Sequence, residues 1–242
     1  MSNINKEEIL QKAKEWFKIS IAQNHIKNTK KLSNISNFNI NPFLLTYLSN
    51  FLEGNSDPKS IAKALIYPRV LGTSINTSFG TNIQKFTSSV LSSFGSTTSG
   101  IDIEFIDMVD GQKKYCQLKS GPDTINKDDV ETIAGHFKDV IHLARTNGEK
   151  LGFDNLIVGV IYGEQKDLNA HYKRISSQYY YDIIVGEDFW HRLTGDKEFY
   201  TDLIKATSEV AIQADFKKEL DEVIEELANS EYIQNLSKEL NN

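Results

Sequence analysis

The chain is short of cysteine, of net positive charge and of long apolar runs, and each shortage excludes a class of protein. One cysteine, Cys116, stands among 242 residues. It has no partner for an intrachain disulfide and offers too few thiolates for a cysteine-built zinc cluster. It suits a reducing compartment, and a cytoplasmic location is expected. No apolar run approaches the roughly 20 residues that a membrane-spanning helix needs, so no membrane partner is expected. The opening residues lead into a charged pattern, KEEILQKAKEWF, with no apolar core of a secretory signal. The formal net charge is −6. A nucleic-acid binder with this balance would have to rely on a local basic surface. No internal repeat and no low-complexity linker interrupts the chain. Its length, with 39% hydrophobic residues, suffices for one substantial core or for a core with a helical appendage.

What is present changes character along the chain. Residues 5–22 carry Ile9, Ala13, Phe17 and Ile21 at four-residue steps, an amphipathic helix. A polar basic stretch follows, HIKNTKKLSN, and then NINPFLLTYLSNFL, where Asn41 before Pro42 reads as a helix cap. Asp57-Pro58 opens a third helical run. GTSINTSFG reads as a loop, and TNIQKFTSSVLSSF as a further helix. The spacing then switches. Ile101, Ile103 and Phe105 alternate with Asp102, Glu104 and Ile106 in a strand pattern. Asp110-Gly111 centres a hairpin turn, and KYCQLKS returns. Asn126 caps a helix with carboxylates in its first turn. NLIVGVIYG is a strand covered on both faces, YYYDIIVG another strand, GEDFWHRLTG a short helix, and the chain after about Glu198 is helical and increasingly acidic. This order predicts an α/β fold with a mixed central sheet flanked by helices and preceded by an N-terminal helical region. The expected division is residues 1–71, helical, and 72–242, the α/β part with the C-terminal helices.

The hairpin carries the chemistry. Period-two geometry puts Gln117 and Lys119 on one face of the return strand, and pairing across the turn brings Asp102 towards Gln117. A carboxylate and a neutral oxygen can hold a hard cation such as Mg²⁺. The cation stabilises charge on a phosphorane and lowers the pKa of water, while the lysine orients the attacking water and offsets phosphate charge. Taken alone, a D…QxK match is a weak signal.

In context, Asp102 followed by Gln117-Leu118-Lys119 resembles the PD-(D/E)XK nuclease signature, and the helix–hairpin–helix–strand order resembles that family's core. The stretch GIDIEF…YCQLKSGPDTINKDD, with NLIVGVIYG, GEDFW and the upstream INPF, is similar to type II restriction endonucleases, in particular the subgroup typified by the cutter of RGGNCCY. The resemblance covers most of the chain. It implies a restriction-endonuclease-like core and Mg²⁺-dependent cleavage at a short site in double-stranded DNA, with Mn²⁺ as a substitute. It also implies a homodimer built on the N-terminal helices, and a cognate DNA methyltransferase in the same system. By position, Asp102, Gln117 and Lys119 are the catalytic set. Asp102, Gln117 and the Leu118 backbone carbonyl are the metal ligands, and Glu104, on the face of Asp102, is a further candidate.

Two departures stand out. Ile101 replaces the usual proline, and Gln117 replaces the usual carboxylate. Where many members place an acidic residue on the preceding helix, the nearest position here is Gln84, again an amide. Lys30, Lys31 and Lys127 are candidate phosphate contacts, although such lysines can equally sit on solvated loops. His136 and His142 read as packing or surface residues of the helix after the hairpin, and Tyr179–Tyr181 as edge-strand packing. A structure-selective or repair nuclease of the same fold, and a DNA-binding module with a decayed centre, are the alternative readings.

Overall fold

A computed structural model of the chain describes residues 6–214 and 216–241, without the side chains at 73, 74, 76, 77, 83, 84 and 87. The chain begins with helix α1 (Lys6–Trp16), which passes through a π-helical segment (Phe17–Ala22) into α2 (Gln23–Lys30). Next come α3 (Pro42–Glu53), α4 (Pro58–Val70), α5 (Thr73–Thr81) and α6 (Ile83–Ser89). Strands β1 (Ile103–Ile106) and β2 (Lys113–Lys119) precede α7 (Lys127–Thr146), β3 (Leu156–Val160), α8 (Ala170–Tyr179) and β4 (Asp182–Val185). Helices α9 (Gly186–Thr194), α10 (Phe199–Gln213), α11 (Phe216–Ala228) and α12 (Glu231–Asn241) complete the described chain. No helix among the described residues is long and apolar enough to cross a membrane.

The chain forms two compact units that a single cut does not separate. One comprises residues 1–16 and 82–207, the other residues 17–81 and 208–242. The first unit is built on a sheet of order β1-β2-β3-β4, with β1 antiparallel to β2 and the other pairs parallel. This is the expected mixed α/β architecture.

The sheet is buried on both faces. On one, Val130, Ile133, Ala134, Phe137 and Val140 of α7 and Tyr172 and Ile175 of α8 pack over Tyr115, Val158, Val160 and Ile183. The α7 residues recur at helical spacing, which is why a 20-residue helix settles here. Burying a side chain such as Phe137, with no exposed surface, contributes about 2–3 kcal/mol. On the other face, Phe189 of α9 lies against β3 so closely that a Cβ at Gly159 would stand 2.5 Å from its ring and 2.9 Å from Cys116 Sγ. Edge-to-face contacts continue this layer from Phe189 to Phe105, from Trp190 to Phe86, and from Phe86 to Trp16.

The second unit is helical. Ile61, Ala62 and Ile66 of α4 have no exposed surface. One flank of α4 packs with Val223, Ile224 and Leu227 of α11, the other with Leu45 of α3 and Ile233 of α12. The C-terminal helices therefore pack on N-terminal ones, because their apolar stripes match α4. Asn41 caps α3 as expected, accepting from the N–H groups of Phe43 and Leu44.

The segments where expectation and structure differ have physical causes. The basic stretch is helical through Lys30 rather than a loop. GTSINTSFG is helical: α5 packs against α2 and α4, Ile75 and Phe79 are partly buried, and packing overrides poor propensity. TNIQKFTSSVLSSF breaks after α6 instead of running as one helix. Tyr179–Tyr181 is not an edge strand. Tyr179 ends α8, Tyr180 terminates it at φ +61°, and the strand starts only at Asp182.

Candidate active site

The hairpin positions Asp102 beside Gln117. The β1–β2 register pairs Ile103 with Cys116, so one step further Asp102 stands opposite Gln117 and shares its face. The Asp102 main chain is fixed from both sides: its N–H donates to Cys116 O (3.0 Å), and its carbonyl accepts from Ser96 N (3.2 Å). Its side chain then turns onto β2, where Oδ2 accepts the Leu118 N–H at 2.7 Å. Partial burial raises the Asp102 carboxyl above its ordinary value, opposed by the Leu118 hydrogen bond and by the charges of Lys119 and His136. The residue itself remains open to solvent.

Strand alternation also aims the Leu118 peptide. Lys119 O accepts the Ile161 N–H on the β3 side (3.0 Å), so the Leu118 N–H and C=O point the opposite way, past the end of β1 and towards Asp102. Gln117 is buried, 5% exposed. Its amide nitrogen lies 2.7 Å from Gly100 O and 2.8 Å from His136 Nδ1.

Lys119, on the same face, is the last residue of β2. Its ammonium lies 3.7 Å from Asp129 Oδ1, a loose pair with a quarter of the side chain exposed. The strand stops there because the Gly121 carbonyl is taken by Thr124 Oγ1 (2.7 Å) and Tyr172 OH (2.9 Å), and Pro122 has no N–H to donate. Asn126 then caps α7, as its sequence suggested, and the structure adds a reciprocal box with Asp129.

The remaining candidates fall elsewhere. Glu104 shares the face of Asp102, but its carboxylate is taken up by Lys113 Nζ (2.7 Å), Thr98 Oγ1 (2.8 Å) and Ser96 Oγ. Burial would raise its pKa; the Lys113, Ser96 and Thr98 hydrogen bonds outweigh that and lower it. The Gln84 side chain lies outside the described residues. Lys127 is exposed at the first position of α7. Lys30 and Lys31 belong to the helical unit, Lys30 paired with Glu219 (3.1 Å) and Lys31 donating to Asn28 (3.0 Å).

Sequence reasoning missed the part His136 plays beside Gln117. The available signal was its phase on α7, one residue from Phe137 at the margin of the buried stripe. It also missed Gly100, whose left-handed φ of +77° lets the imidazole lie against it.

A short outer strand entered by an aspartate, paired to a strand ending in Gln-x-Lys and followed by two parallel strands with crossing helices, is the layout of a PD-(D/E)XK-type nuclease. Residues 11–215 match the family model described as type II restriction endonuclease EcoO109I, and the chain belongs to that family. It is a site-specific deoxyribonuclease, and DNA is its substrate. No curated protein matches the chain.

Such endonucleases are typically metal-dependent. Among the described residues no three His, Cys, Asp or Glu side chains gather as a metal site. The donors at hand are instead one carboxylate, one amide oxygen and one main-chain carbonyl, all oxygens, a set that fits a hard divalent cation retaining several waters.

Proposed function

We propose that the protein hydrolyses one phosphodiester bond in each strand of a short double-stranded DNA site, with Mg²⁺ held by Asp102, Gln117 Oε1 and the Leu118 carbonyl. The observation that carries this reading is that Asp102, with its Oδ2 on the Leu118 N–H, stands opposite Gln117 at the end of β2 that also carries Lys119. Bound there, the cation would stabilise charge on the phosphate and favour ionisation of water. Lys119 has a protein-side role: its loosely held ammonium offsets phosphate charge and orients the attacking water. Asp102, tethered through Oδ2, keeps Oδ1 for ligation. Glu104, saturated by three donors, serves to hold residues 96–98 against β1.

The protein acts as a homodimer, since a two-fold site needs a two-fold reader. Support comes from α3, where Phe43, Tyr47 and Phe51 are 85%, 64% and 76% exposed, too apolar a face to remain in water. The N-terminal helical region then serves dimerisation, and Lys30, Lys31 and Lys127 contribute phosphate contacts. A cognate methyltransferase protects host DNA in the cytoplasm, and Mn²⁺ replaces Mg²⁺.

Incubation with plasmid and Mg²⁺ tests the reading. Discrete fragments with identical sequenced ends, abolished by EDTA, are expected. Nicking without a sequence preference would replace site-specific restriction with a structure-selective activity. Sequence-specific binding without cleavage in either metal would mark a decayed centre.

A further inference from the structure

We infer that His136 and the Gly100 carbonyl together select an amide at position 117 and aim its oxygen at the cation, making His136 a positioning residue. This rests on the reading that Gln117 Oε1 is a metal ligand.

The amide nitrogen of Gln117 meets two acceptors, Gly100 O at 2.7 Å and His136 Nδ1 at 2.8 Å. A main-chain carbonyl cannot donate, so the contact with Gly100 fixes which end of the amide is NH₂. Both hydrogens are then committed, one to each partner. Nδ1 must accept, which sets His136 as the tautomer carrying its proton on Nε2. The oxygen is turned away from both partners and receives no hydrogen bond from any described residue. Although the residue is buried, that oxygen still reaches solvent, where water or a cation can meet it.

The same contacts disfavour the carboxylate that relatives of this fold place here. An oxygen in the position of the Gln117 nitrogen would stand at hydrogen-bond distance from the Gly100 carbonyl with no proton between them. Gly100 contributes a second way. A Cβ there would lie 2.4 Å from His136 Cγ, so only glycine, at φ +77°, admits the ring and still presents its carbonyl to Gln117. Gln117 is on this account matched to its surroundings rather than a remnant of a lost carboxylate.

The test compares His136→Phe, which keeps a ring against Gly100 but removes the acceptor, with His136→Asn, whose Oδ1 restores an acceptor near Nδ1. Two quantities are read on the full-length protein: Mn²⁺ binding, from the electron paramagnetic resonance signal of free Mn²⁺, and the Mg²⁺ concentration giving half-maximal plasmid cleavage. His136→Phe is expected to weaken Mn²⁺ binding about 10-fold and to raise the Mg²⁺ requirement to a similar extent, with DNA binding in EDTA unchanged. His136→Asn should recover most of both. Wild-type values in His136→Phe, or equal losses in both variants, would overturn the inference. Gln117→Ala separates it from the reading beneath. If Gln117→Ala leaves both quantities at wild-type values, ligation by Gln117 fails. If Gln117→Ala weakens them and His136→Phe does not, only the positioning role fails. Should His136→Phe not fold, Gln117→Glu decides: it is expected to require more Mg²⁺ than wild type, and a lower requirement would sink the inference.

Discussion

Lys119 and Asp129 are joined without being locked: the ammonium stands 3.7 Å from Asp129 Oδ1, while Asp129 Oδ2 accepts the Asn126 N–H at 2.9 Å and closes the cap of α7. One carboxylate thus ties the start of a helix to the end of the strand that delivers the lysine. A tight pair would hold the ammonium away from a phosphate; a loose one leaves it available. Lys119→Ala is expected to lower the cleavage rate by at least about 10²-fold, the scale of losing one charge-stabilising group, with site-specific binding retained in a gel-shift assay. Asp129→Ala should lower cleavage far less and reduce stability by about 1 kcal/mol through the lost cap. Wild-type cleavage by Lys119→Ala would remove the lysine from the mechanism.

The hairpin, the cap at Asn126, the doubly covered β3 and the pairing of Asp102 with Gln117 were all legible in the sequence. Each follows from local rules: period two, turn chemistry, and an apolar run too short for a helix. What escaped was decided by contacts distant in the chain. Helix α5 is held by its packing against α2 and α4 rather than by its propensity. Helix α8 was missed because its buried residues, Tyr172 and Ile175, are only two among polar neighbours. The bond between Gln117 and His136 spans 19 residues and depends on how α7 is rotated over the sheet, which no pattern in one sequence reports.

The turn end of the β1–β2 hairpin holds a charged network built around two buried residues, Asp107 and Lys114. Asp107 has no exposed surface and accepts from Arg192 Nη1 at 2.8 Å, while Lys114, 3% exposed, bonds Asp110 Oδ2 at 2.6 Å and Asp154 O at 3.0 Å. Removing one partner of a buried pair leaves a charge uncompensated. Arg192→Ala is therefore expected to lower the unfolding free energy by about 3 kcal/mol, read from urea midpoints. Exposed pairs such as Lys166–Glu164 should give no measurable change when broken. A loss under about 1 kcal/mol in Arg192→Ala would mean that Lys114 alone compensates Asp107.

Cys116 sits beneath the sheet with no exposed surface, and burial, with the nearby Asp102 charge, pushes its thiol well above the usual range. A thiol that neither ionises nor meets solvent does not react. A disulfide reagent added to the native protein should release no chromophore over hours, and one equivalent should appear on unfolding in guanidinium. Rapid reaction under native conditions would show that the layer between Phe189 and the sheet opens.

Tyr172 gives the fold an alkaline limit. Its ring is fully buried and its hydroxyl donates to Gly121 O at 2.9 Å, at the turn that ends β2. Burial raises its pKa to about 12, only partly offset by the Thr124 hydrogen bond. The folded state thus binds the phenolic proton more tightly than the unfolded chain, whose tyrosine titrates near 10. The sign follows: this stabilisation is complete below about pH 10 and is lost as pH rises from about 10 towards 12, to a total of about 2–3 kcal/mol. Tyr172→Phe removes the titrating group together with one hydrogen bond. It should be less stable than wild type at pH 7 by about 1 kcal/mol, and should lose less stability between pH 9 and 11 by urea unfolding. An equal alkaline decline in both proteins would place the titrating group elsewhere.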